Sequence, residues 1–176
     1  MDAMTPEQAW FLLNGVLLGS LKKECRTTKF VLEAVPAEKA DYKPEANSKT
    51  AMELVRHIAV AENRFLETPI HGEFNVSSPV LPDTAKTPAE IAAWYEQQCA
   101  RNIEALTKLS GEELAKIIDF RGMTQLPAVL FLQFGMVHAI HHRGQLSTYL
   151  RPMGAKVPAI YGESYDSAAA KKAAQA

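Results

Sequence analysis

"HAIHHRGQLSTYLRPMG", His138 to Gly154, places three of the chain's five histidines within five positions. The surrounding apolar residues, among them Phe131, Phe134, Leu146, Tyr149 and Leu150, recur as on one long helix that begins near Pro127 and stops at Pro152 and Gly154. On an α-helix His138 and His142 differ by about 40° around the axis and about 6 Å along it, so both rings point the same way. That face is aromatic toward its N-terminal half, with Phe131 and Phe134, and polar toward its C-terminal half, with Gln145 and Tyr149. His141 falls on the flank.

Working outward from this helix, the same start signal recurs along the chain. "TPEQ" at Thr5, "TAME" at Thr50 and "TPAE" at Thr87 each put a capping Thr three residues before Gln or Glu, and two of them add Pro at the first helical position. The first predicted helix carries a stripe through Trp10, Leu13, Leu17, Leu21, Cys25 and Leu32 and stops at Pro36. The second buries Leu54, Val55, Ile58, Ala61 and Phe65 and ends at Pro69; the third runs through Ile91, Trp94, Tyr95, Ile103 and Leu106 to about Leu109. "SGEE" at Ser110 predicts a short extra element, and "DFRGMTQ" a turn or a brief extended piece. The expected fold is therefore all-α, a four-helix bundle with short extra elements and one or two crossing connections. The whole chain, 1–176, reads as a single domain, with a tail from about 163 that is rich in helix formers but has no apolar stripe. The one long irregular segment, "TPIHGEFNVSSPVLPDTAKTP", is of a length seldom kept without a use, covering a site being one.

Composition narrows the function. The 19 basic and 20 acidic residues nearly cancel and no basic block interleaves with aromatics, which argues against nucleic acid as a partner. "WFLLNGVLLG" is too short to span a membrane, and Asp2 and Glu7 precede it where a secretory signal carries positive charge, so a cytoplasmic location with no membrane partner is expected. Cys25 and Cys99 lack C-x-x-C spacing and read as buried hydrophobes.

Two imidazoles one turn apart can converge on one cation without backbone strain. The candidate third ligand is His57 in "ELVRHIAVAE", at the edge of the second helix's stripe, provided that the second and last helices are neighbours. An inward histidine is also often just a hydrogen-bonded core residue, and His71, beside Gly72, reads as solvated or at a pocket rim. Arg143 reads as a hydrogen-bond donor behind a ligand, an anion clamp, or a solvated or salt-bridged helix residue, the last being the default.

"ELVRHIAVAE" together with "HAIHHRGQLSTYLRPMG" and "VPAIYGES" resembles the DinB family, a group of metal-dependent four-helix bundles related to bacillithiol transferases and mycothiol-dependent maleylpyruvate isomerases. The most specific element is H-x-x-x-H-R-G-Q, carried by His138, His142, Arg143, Gly144 and Gln145. The resemblance implies one divalent metal ion, zinc or nickel, held by His57, His138 and His142, with positions left for water or a small-molecule substrate. By analogy with those relatives that substrate is a low-molecular-weight thiol and the reaction a transfer or hydrolysis; a homodimer is also implied. Where relatives often carry Glu after the first histidine of the last helix, this chain has Ala139, and the candidate proton handlers are metal-bound water itself, His141 and, in the tail, Tyr161 or Tyr165.

Overall fold

In the computed structural model, which describes residues 4–175, helices α1 (Pro6–Phe11) and α2 (Leu18–Glu33) are joined without a break by a π-helical segment, Leu12–Leu17. α3 (Ala51–His71), α4 (Pro88–Leu106) and α6 (Ala128–Leu150) are the other long rods. α5 (Gly111–Ala115), a hairpin of β1 (Ile117–Phe120) and β2 (Thr124–Pro127), and α7 (Tyr165–Ala173) are the short additions, and Asp2 lies outside the described residues.

Each predicted start forms by the chemistry expected of it. At Thr5, Thr50 and Thr87 the hydroxyl accepts the N–H three residues on, while the Gln8, Glu53 or Glu90 side chain accepts the cap's own N–H. Ser110 and Ser164 cap α5 and α7 in the same way, so the tail forms a separate helix.

α6 packs on α3 and α2, and α4 packs on the same two, which closes a ring of four rods around one core. The connections from α2 to α3 and from α4 to α6 therefore both run to a diagonal helix across the bundle. α3 and α6 approach closely, because Gly135 lets the Phe65 side chain lie directly against the α6 backbone. Phe65, Ile118, Ala128 and Phe131 form a satellite core there, closed by Phe74 and Phe120.

Three local expectations are corrected. Trp10 is 53% exposed, and the inward stripe is instead Ala9, Leu13, Leu17, Leu21 and Cys25. A repeat of four residues drifts about 40° per step on an α-helix, and the wider turns of the π segment take the drift out in the opposite sense. Pro69 does not end α3, which runs on to His71; Gly72, at φ 68°, ends it in the left-handed conformation that suits glycine. Proline here costs little, since its missing N–H affects only the last turn. The segment from Gly72 to Thr87 does not line the hollows beside the histidines; it is pinned to α3, with Arg64 Nε donating to the Ser78 carbonyl at 2.8 Å and Ser78 Oγ to Glu67 Oε2 at 2.7 Å.

Candidate metal centre

α3 carries His57 and α6 carries His138 and His142, and the packing of these two rods brings the three rings together. Ring centroids lie 5.0 Å apart for His57 and His138, 4.4 Å for His57 and His142, and 4.5 Å for His138 and His142. One nitrogen of each lies within 4.8 Å of one nitrogen of both others, and all three residues are half-buried. Among the described residues this is the one group of three or more His, Cys, Asp or Glu side chains placed so closely.

The electrostatics disfavour the charged form of two of the rings. Burial pushes His138 down to about 4, helped by His142 and His57 beside it, and burial likewise lowers His57, with added repulsion from His142, Lys49 and Arg64. Neutral imidazole is the form that ligates a cation. His142 Nδ1 lies 2.7 Å from Gln145 Oε1; because that oxygen only accepts, Nδ1 carries the proton, and in the neutral ring Nε2 is the nitrogen with a free lone pair. His138 Nδ1 is buried and has no hydrogen-bond partner in the protein. An orphaned buried nitrogen costs about 1–3 kcal/mol, so the donor set fits a site completed by a cation.

Two open hollows adjoin the rings. One, of about 370 Å³, runs along the outer face of α3 past Glu53, Arg56, His57, Val60, Ala61 and Arg64. The other, of about 310 Å³, reaches His142, Gln145 and Tyr149, and Lys49 borders both. On the opposite side Phe65 packs at 5.8 Å from the His138 ring and 5.2 Å from that of Phe134, which is 46% exposed. The polar and aromatic halves expected of this face are thus both present.

Other candidates lie elsewhere. His141 is exposed, its ring centroid 4.8 Å from that of His142, and His71 is exposed at the end of α3. Arg143 is salt-bridged as expected by default, yet it is not solvated: it is 1% exposed and turned away from the histidines. It binds Glu24 Oε2 at 2.6 Å, Thr28 Oγ1 at 3.1 Å and the Tyr161 hydroxyl at 2.6 Å. Tyr161 is therefore tied to Arg143 and Glu24, while Tyr165 is exposed beneath Arg151. Cys25 and Cys99 are buried, Cys25 donating weakly to Glu62. Sequence reasoning gave no role to Gln145 and passed over Lys49, Arg56 and Arg64; placing Glu53, Arg56, His57, Val60 and Arg64 on one helical face, by the same arithmetic used for the last helix, finds most of them.

The model of the DinB family matches residues 8–174. An uncharacterized Bacillus subtilis (strain 168) protein, YjoA, is 28% identical over 129 residues, which is 72% of this chain and 82% of that protein. The crystal structure of that DinB-like protein superposes with a TM-score of 0.69 at 26% identity, over 84% of this chain and 99% of the other. A DinB-like protein from Bacillus cereus ATCC 10987 gives a TM-score of 0.68 at 23% identity, over 91% and 100% of the two chains, and shares the fold.

Proposed function

The chain belongs to the DinB family, and on that premise we propose that His57, His138 and His142 hold one divalent metal ion, zinc or nickel, and that the protein is a metal-dependent enzyme of thiol-transferase or hydrolase type. The observation that carries this reading is the convergence of three imidazoles from two helices, one of which, His138, keeps a buried nitrogen that the protein itself leaves unpartnered. A divalent ion held by three imidazoles acts as a Lewis acid toward a thiol, water or carbonyl group at its open positions.

The chain's own residues would do the rest. Gln145 fixes the tautomer and orientation of His142. Ala139 is buried in the core, so no carboxylate stands at that position, and His141 is the exposed proton carrier beside the ligand set. The two hollows give a small substrate, a low-molecular-weight thiol being the first to try, a route to the histidines from solvent. Among the described residues no helix is long and apolar enough to cross a membrane; a cytoplasmic setting and a homodimer are part of the proposal.

A second reading, a metal- or ligand-binding protein without turnover such as a stress-related module, is favoured by one feature: the hollows beside the histidines are open rather than enclosed. Elemental analysis of untagged protein, beside His57→Ala and His142→Ala, tests the shared premise. About one ion per chain, lost in both variants while helical content survives, is expected. No bound ion after incubation with zinc or nickel and desalting overturns the metal centre and the enzyme reading built on it. Turnover of thiol-transfer or hydrolysis substrates by the loaded protein separates the first from the second.

A further inference from the structure

The hollow along α3 is walled by like charges. Arg56 and Arg64, two helical turns apart, flank His57, and Lys49 closes the end where this hollow meets the one at His142. Lys49 and Arg64 line the same hollow as His57. Their carboxylate neighbours are engaged elsewhere. Glu53 spends one oxygen on the α3 cap, accepting the Thr50 N–H at 2.7 Å. Glu67, which faces Arg64, accepts Ser78 Oγ at 2.7 Å and Arg101 Nη2 at 3.3 Å. Arg121, on the hairpin turn, adds a further positive charge toward Arg64. Along this wall three cations thus meet one lining carboxylate, Glu53, whereas the whole chain is nearly neutral.

The backbone holds these side chains in place. Arg64 Nε is bonded to the Ser78 carbonyl and Arg56 Nη2 reaches the Ala85 carbonyl at 3.5 Å, so each guanidinium is steadied by the irregular segment while the other nitrogens of its fork are left for a ligand. The Lys49 carbonyl accepts the Tyr149 hydroxyl at 3.3 Å, which fixes the main chain at the junction of the two hollows. Cations gathered along one cleft raise the local concentration of anions there.

We propose that Lys49, Arg56 and Arg64 form an oxyanion-binding rim, so that the molecule which approaches the three histidines carries a carboxylate or phosphate-like group seated on this rim. The identification of the approaching molecule as substrate rests on the metal-centre reading above; the rim itself does not require bound metal. Guanidinium forks and an ammonium recognise this chemistry through charge-assisted hydrogen bonds. The reacting part of such a molecule would extend from the rim toward His57 and His142, while the oxyanion sets its direction.

The test titrates propionate and, separately, methylphosphonate into nitrogen-15-labelled protein, stripped of metal and zinc-loaded, while amide and arginine side-chain NMR signals are followed. Saturable shifts at Lys49, Arg56 and Arg64 are expected, weakened at least fivefold in Lys49→Gln/Arg56→Gln and by raised salt, with zinc content unchanged. Both substitutions are at exposed positions, and Lys49→Gln alone, outside any helix, gives a second reading of the same effect. The stronger of the two probes identifies the oxyanion. Equal affinity in parent and variants, shifts confined to other surfaces, or no saturation with zinc bound overturns the rim. Anion binding that survives in a parent unable to hold zinc overturns the metal centre and leaves the rim standing.

Discussion

Gly135→Ala tests whether the α3–α6 approach sets the histidine cluster. A methyl built on Gly135 would lie 2.8 Å from Phe65 Cγ and 3.1 Å from Cδ2, and closer still to Phe65 Cβ. Ordinary carbon contacts are about 3.5–4.0 Å, so the helices must part by about 1 Å or Phe65 must leave its rotamer. Because the nearest atom is the Cβ rather than the end of a flexible chain, side-chain rotation alone does not relieve the clash. Overpacking of this kind costs about 1–3 kcal/mol, against about 1 kcal/mol gained from helix propensity. A net loss of up to about 2 kcal/mol is expected, which for a chain of this size lowers Tm by up to about 8 °C. The assay is thermal unfolding of chelator-treated protein, with zinc affinity measured in parallel by chelator competition. Zinc affinity should fall as well, because His138 is one turn from Gly135 on α6 and its ring packs on Phe65. Gly144→Ala is the control: nothing lies within 4 Å of its added methyl, so it should raise Tm and leave zinc affinity unchanged. A Gly135→Ala protein as stable as Gly144→Ala, with full zinc affinity, would refute the close approach.

Gln145→Ala should weaken zinc binding about 10–100-fold in chelator competition while helical content is kept, because His142 Nδ1 loses its acceptor; an unchanged affinity would remove Gln145 from the site. Glu62, buried and bonded to the Tyr95 hydroxyl, is pushed up to about 7 by burial. A raised carboxyl costs nothing below about 4.5, where folded and unfolded chains are both protonated, and its cost grows as pH rises to about 7, reaching on the order of 3 kcal/mol. Glu62→Gln should accordingly flatten the decline in urea midpoint between pH 5 and 8, and parallel parent and variant profiles would refute the assignment. Glu24→Gln, which leaves Arg143 without its counter-charge, should destabilise by about 3–5 kcal/mol in urea unfolding, and Glu24→Gln/Arg143→Met by less; equal losses in the single and double variants would refute the coupling.

What the sequence made legible was what depends on neighbours along the chain. Thr50 and Glu53 find each other within one turn whatever the rest of the bundle does, and His138 and His142 share a face for the same reason. Pro69 misled because proline was taken as a stop when it sits in a terminal turn that loses little to it, and the Gly72 conformation was the actual stop. Trp10 misled because a uniform α-helical period was applied across a segment that widens into π turns. His57 was placed by assuming that the second and last helices are neighbours, an assumption that periodicity does not supply and the resemblance did. Nothing local marks the burial of Arg143, since Glu24 and Thr28 belong to the first rod and Tyr161 to the tail.

The burial of Arg143 explains why adjacent residues of α6 serve different ends. His142 and Arg143 point about 100° apart, so when one faces α3 the other is directed at α2. The Glu24–Arg143 pair is buried and supported by Thr28 and Tyr161, and so fixes the rotation of α6 about its own axis at the level of His142. A rotation of about 20° would carry an imidazole, roughly 6 Å from the helix axis, about 2 Å sideways, comparable to a whole zinc–nitrogen bond. α3 is held by a separate set of polar links, Tyr95 to Glu62 and Asn102 to Asn63, both reaching it from α4. The two helices that bear the histidines are thus each registered from behind by buried polar bonds to a different rod, and the face they share holds the three imidazoles beside the close Phe65–Gly135 contact.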